Sequence, residues 1–243
     1  MKFYGQTDKG KVRKENQDSF VLEKLDNGMI VAVICDGMGG ANAGRIASDS
    51  AVSAFMEHLL PELEKEPEAD MQKLVTEAAA YANSTVYRRS IQEIACRGMG
   101  TTMVGAVVHG DEATVFNIGD SRAYLRNGQD FTRITRDHSL VEELVQSGEI
   151  TSEEARVHPK KNLITRALGI GPEVKCDIFE SEFPAKARII LCSDGLSNLI
   201  PDDELFEHCR KSREPRTLCH ALMKKALSRG APDNVTVIAI EHE

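Results

Sequence analysis

Nothing in this 243-residue chain concentrates positive charge. Its 38 acidic residues outnumber 30 Lys and Arg, for a formal net charge of -8. Nucleic-acid affinity rests mainly on Lys and Arg neutralising phosphates, so a nucleic-acid partner is excluded. No stretch reaches the roughly 18 apolar residues of a membrane span, and the opening Met1-Lys2-Phe3-Tyr4-Gly5-Gln6 lacks the apolar core of a signal peptide. A cytoplasmic protein with no membrane partner is therefore expected. Six cysteines are scattered without a C-x-x-C pair, which excludes a zinc ribbon and a dithiol redox motif. Cys35 and Cys192 lie inside apolar runs and read as small buried hydrophobes. No repeat or low-complexity tract occurs. The chemistry-bearing absences are equally informative. There is no G-x-S-x-G elbow, no C-x5-R signature, no histidine cluster, and no lysine to turn Gly100-Thr101-Thr102 into a P-loop.

What the chain does contain is one continuous globular stretch, long enough at 41% hydrophobic composition to bury a sizeable core. A single domain spanning 1–243 is expected. Runs rich in Val, Ile and Phe predict strands over 19–23, 29–35, 102–109, 113–118, 123–126, 188–192 and 235–240. Apolar residues three or four apart predict helices over about 43–60, 71–93 and 215–229, with Pro215 in a first turn and Gly230 at an end. Two long helices in succession break strict strand-helix alternation, which favours two antiparallel sheets in a sandwich covered by helices. The polar, charged segment 136–161 reads as a surface flap containing a short helix. From composition alone it serves equally well as a solvated connection or as a substrate contact.

The informative pattern is aspartate at strand ends. The run 30–35 ends at Asp36-Gly37, 115–118 at Gly119-Asp120, and 189–193 at Asp194-Gly195, while Asp18 and Asp233 precede strands. A single Asp-Gly at a strand end reads as a turn. Five such acids together read differently, because carboxylates converging at the edge of stacked sheets repel unless cations join them. Ligands that are all oxygen select hard ions, Mg2+ or Mn2+, over zinc. Two such ions about 3.5–4 Å apart can acidify a bridging water and stabilise in-line displacement at phosphorus, with no side-chain nucleophile. Arg13, five residues before Asp18, offers a guanidinium suited to bidentate phosphate contact. Taken alone Arg13 reads as a surface charge; its position beside Asn16 and Asp18 raises it.

These residues resemble the PPM, or type 2C, family of protein phosphatases, especially its compact bacterial members. Eight motifs occur in the family's order: Arg13-x-x-Asn16-Gln17-Asp18, Asp36-Gly37-Met38-Gly39-Gly40, Gly100-Thr101-Thr102, Gly119-Asp120-Ser121-Arg122, Asp137-His138-Ser139, 163–169, Ser193-Asp194-Gly195-Leu196 and Asp233-Asn234-Val235-Thr236. The resemblance implies an α+β, four-layer α-β-β-α sandwich with two central antiparallel sheets flanked by helices and a metal cleft at one edge. It implies that Asp36 bridges two Mn2+ or Mg2+ ions, that the Gly37 carbonyl binds one, and that Asp194 and Asp233 complete the other's shell. Asp18 would act mainly through water, and Asp120 with Asp194 would hold a weaker third ion. Gly39 and Gly40 would let the loop pass close to the ions, or simply allow helix entry. It implies a monomer acting on phosphorylated proteins, with a Ser/Thr kinase as its counterpart.

Many eukaryotic relatives carry histidine, a proposed general acid, where this chain has Met38, a thioether with no proton to give. A water on the third ion is the expected substitute. His138 and His158 read as structural or surface residues. Two other functions compete: a catalytically silent phosphoprotein-binding module, disfavoured because Arg13, Asp36, Asp194 and Asp233 are all present, and a nucleotide or small-phosphoester hydrolase, disfavoured because no base-binding motif is recognisable.

Overall fold

The structure, a computed structural model, describes residues 1–40, 43–65 and 69–243. Eleven strands are present among them: β1 (Lys2–Asp8), β2 (Asp18–Lys24), β3 (Ile30–Met38), β4 (Gly100–Thr101), β5 (Met103–His109), β6 (Glu112–Ile118), β7 (Arg122–Asn127), β8 (Asp130–Arg133), β9 (Asp177–Glu182), β10 (Arg188–Cys192) and β11 (Val235–Glu241). The α-helices are α1 (Ala43–Lys65), α2 (Met71–Gln92), α3 (Leu140–Gln146), α4 (Ser152–Val157), α5 (Asp194–Ser197), α6 (Asp202–Lys211) and α7 (Pro215–Ser228).

The strands form two sheets, ordered β1-β11-β10-β7-β8 and β2-β3-β5-β6-β9, with β4 added to β3 and every pairing antiparallel. Period-two alternation explains how they stack. Ile30, Ala32 and Ile34 of β3 pack with Ile189 and Leu191 of β10 and Ile238 and Ile240 of β11 between the sheets. The intervening Val31, Val33 and Cys35 pack instead on Ala47, Ala51 and Phe55 of α1 and Ala78 of α2. On the far side Cys192, Val235 and Val237 pack on Leu218 and Leu222 of α7. Three apolar cores between four layers give the expected α-β-β-α sandwich. Burial on both faces is why the central strands read as unbroken apolar runs and not as alternating ones.

Several elements differ from the sequence expectation. α1 runs through Pro61 to Lys65, because the following turn is anchored by the buried Leu63. β1 and β9 were not anticipated: both are edge strands of their sheets, half-buried and polar in sequence. α6 also went unread, although Leu205 and Cys209 are buried four residues apart, with acids in its first turn and bases in its last. The segment 136–161 contains two short helices and not one, and it is not wholly superficial, since Asp137, His138 and Ser139 are buried at its start.

Candidate metal centre and active site

Antiparallel pairing brings the starts of β2 and β11 to the same edge of the sandwich as the ends of β3, β6 and β10. In the β2–β3 register Asp18 stands directly opposite Asp36. Directly opposed residues share a face, and like charges so placed are destabilising unless a counter-ion intervenes. Asp120, Asp194 and Asp233 complete the group: with Asp36 and Arg13 they line a cleft of about 230 Å³ that also includes Gly37, Met38, Gly39, Asn162 and Ile164.

Glycine follows aspartate here because backbones meet, not because the chain turns. A Cβ on Gly37 would lie 2.0 Å from the Gly44 carbonyl oxygen, and one on Gly195 would lie 1.9 Å from that of Asn234. Gly119 is different: its φ of 112° is left-handed, and a Cβ would strike Thr102 at 2.6 Å. Gly39 also has positive φ, at 150°, beside the entry to α1.

The acids are held by a polar scaffold of residues to which the sequence analysis gave no role. Ser193 Oγ and Thr236 Oγ1 both donate to Asp18 Oδ2, at 2.8 and 2.6 Å. Thr102 Oγ1 accepts from the Asp36 amide at 3.1 Å, and the Thr102 amide donates to the Asp36 carbonyl at 2.9 Å. Asn234 Oδ1 accepts from the Gln17 amide at 2.8 Å, and its Nδ2 donates to the Lys9 and Glu15 carbonyls, both at 2.9 Å, tying the loop before β2 to the start of β11. Thr102, Ser193, Asn234 and Thr236 all stand in the motifs named above, which is their signal in the sequence.

The electrostatics are those of a desolvated cluster of like charges. Desolvation first, then Asp18, Asp194, Asp120 and Asp233, hold the Asp36 carboxyl well above the ordinary carboxylate range. Desolvation and then Asp233 push Asp194 up, and desolvation, Asp194 and Asp137 push Asp120 up. Two oxygens, Asp18 Oδ1 and Asp194 Oδ1, are buried with no hydrogen-bond partner. An ionised carboxylate accepts at both oxygens, so each orphan marks a position where a hard cation or its water fits. Among the described residues no three His, Cys, Asp or Glu side chains already surround one point at ligand distances. Arg13, the expected phosphate contact, donates from Nη2 to Asp233 Oδ2 at 2.7 Å.

A family profile described as Protein phosphatase 2C matches residues 8–229. The chain belongs to the protein phosphatase 2C family. By that membership it is a phosphatase. It is 38% identical over 242 residues to the serine/threonine phosphatase stp of Listeria monocytogenes, covering 98% of this chain and 94% of that protein. The crystal structure of the Mycobacterium tuberculosis serine/threonine phosphatase PstP superposes with a TM-score of 0.90 at 35% identity, over 100% of this chain and 99% of that one. A structure of the PstP catalytic domain in complex with two manganese ions matches with a TM-score of 0.86 at 34% identity, over 98% and 96%. Among the described residues no helix is long and apolar enough to cross a membrane.

Proposed function

We propose that this phosphatase hydrolyses phosphoserine and phosphothreonine on proteins at a binuclear Mn2+ or Mg2+ centre, and so opposes a Ser/Thr protein kinase. The observation that carries this reading is the cleft lined by Asp36, Asp120, Asp194 and Asp233, with Asp18 opposite Asp36 behind it and one buried carboxylate oxygen on each of Asp18 and Asp194 without a partner. Asp36, the Gly37 carbonyl, Asp194 and Asp233 would hold the core ions, with Asp18 behind them and Asp120 beside Asp194. Bound there, such ions polarise the phosphoryl oxygens and supply an activated water. The two manganese ions in the PstP structure support the ion count.

Arg13 is the phosphate-binding group in this reading. Its side chain is 53% exposed at the cleft mouth, so it can leave Asp233 for an incoming phosphate when cations neutralise that carboxylate. Asp233 thereby serves Arg13 as a placeholder. Met38 lines the cleft but cannot move a proton. Among the described residues the cleft lining contains no aromatic ring to offer a nucleobase a stacking surface, which favours a phosphorylated side chain over a nucleotide. Turnover of phosphoserine and phosphothreonine peptides beside nucleoside phosphates, with Mn2+ and after exhaustive chelation, tests the proposal. Peptide hydrolysis that is lost on chelation and restored by Mn2+ is expected. Full activity in the chelated protein, or a preference for nucleotides, would overturn it.

A further inference from the structure

We propose that His138, locked in one neutral tautomer by Asp177, is a positioning residue that sets the backbone at Gly119 and through it the Asp120 carboxylate. This rests on the metal role given to Asp120 above.

Gly119 is gripped at both of its backbone polar groups by one residue. Its amide donates to His138 Nδ1 at 2.9 Å, and the His138 amide donates to the Gly119 carbonyl at 2.9 Å. The first bond requires Nδ1 to be an acceptor, so the ring proton must sit on Nε2. There it meets Asp177 Oδ2 at 3.0 Å. Asp177 is itself anchored, its Oδ1 accepting from Arg166 Nη1 at 2.7 Å. Either other state of the ring, the Nδ1–H tautomer or the cation, would aim an N–H at the Gly119 N–H. Burial holds His138 below its ordinary value against the pull of Asp177, which keeps the neutral ring in place.

The grip falls where the backbone can do most with it. Gly119 has left-handed φ and closes on Thr102. Thr102 Oγ1 in turn meets Ser121 Oγ at 2.9 Å and the Asp36 amide at 3.1 Å. A residue from the start of the flap thus orients the Gly119-Asp120-Ser121 connection, which braces the strand end carrying Asp36. A carboxylate that orients a histidine, which orients a ligand-bearing backbone, is an outer-shell arrangement of the kind whose loss costs roughly 10–100-fold in metal affinity or activity.

The test has a readout that does not depend on turnover. In 15N-labelled metal-free protein, His138 should show a bare Nδ1 and a protonated Nε2 by NMR. In calorimetric titration with Mn2+, His138→Gln, which loses the acceptor near Nδ1, should weaken the lowest-affinity ion roughly 10–100-fold. His138→Asn, whose Oδ1 can accept where Nδ1 does, should recover most of that loss. With a phosphothreonine peptide, kcat should follow the same order while KM stays near wild type. An Nδ1–H tautomer in the wild-type protein would overturn the inference, as would a wild-type Mn2+ isotherm for a folded His138→Gln, or equal damage in both variants. Absence of phosphatase activity in the wild-type protein with Mn2+ would instead sink the functional reading, while leaving the tautomer intact.

Discussion

Stripping the cations from this protein should make its stability fall as pH rises, the reverse of the usual carboxylate behaviour. Asp18 shows why. Desolvation raises its carboxyl from 3.8 to about 7, against hydrogen bonds from Thr236 and Ser193 and with the help of Asp194 and Asp233. Because the folded value lies above the unfolded one, the folded state holds the extra proton. The associated stability is fully present below the unfolded value and lost as pH rises through about 7. The whole difference corresponds to roughly 4 kcal/mol, of which about 3 kcal/mol would disappear between about pH 5 and pH 8. For a chain of this size that lowers Tm by roughly 6–12 °C. Asp36, Asp120 and Asp194 are shifted in the same direction and steepen the fall. Scanning calorimetry of the EDTA-treated protein across this range reads the effect directly. Saturating Mn2+ should raise Tm most at the alkaline end, since it binds the ionised carboxylates of the folded state, and Asp18→Asn should flatten the metal-free profile. A metal-free Tm that is level, or higher at pH 8 than at pH 5, would refute the placing of these acids in one desolvated cluster.

Asp36→Asn, Asp194→Asn and Asp233→Asn should each lower turnover by orders of magnitude and weaken Mn2+ in calorimetry, because each removes charge from the proposed shell; near-normal rates would mean the site is misplaced. Arg13→Ala should lower kcat/KM for phosphopeptides without weakening Mn2+, since it frees Asp233; lost metal affinity at unchanged kcat/KM would contradict its assignment to phosphate. Gly195→Ala should cost roughly 1–3 kcal/mol in denaturant unfolding, because the added methyl meets the Asn234 carbonyl oxygen at 1.9 Å; an unchanged midpoint would mean that contact relaxes freely.

Much of this was legible in the chain itself. Apolar runs long enough for doubly buried strands, several of them entering or leaving at an aspartate, carried both the sandwich and the expectation of a metal site, because burial on two faces and hard-ion chemistry leave local marks in residue type. The half-buried edge strands β1 and β9 left none, since their alternation is blurred by exposure. Which carboxylates confront one another was decided only by tertiary structure. Asp18 faces Asp36 through strand register, and Thr236 reaches Asp18 from 218 residues away. Arg13 meets Asp233 across 220 residues, and His138 reads as an ordinary histidine until the fold sets its Nδ1 on the Gly119 amide. Residue chemistry is a property of the sequence, but desolvation, register and the partner of each hydrogen bond arise only when distant strand ends are packed at one edge.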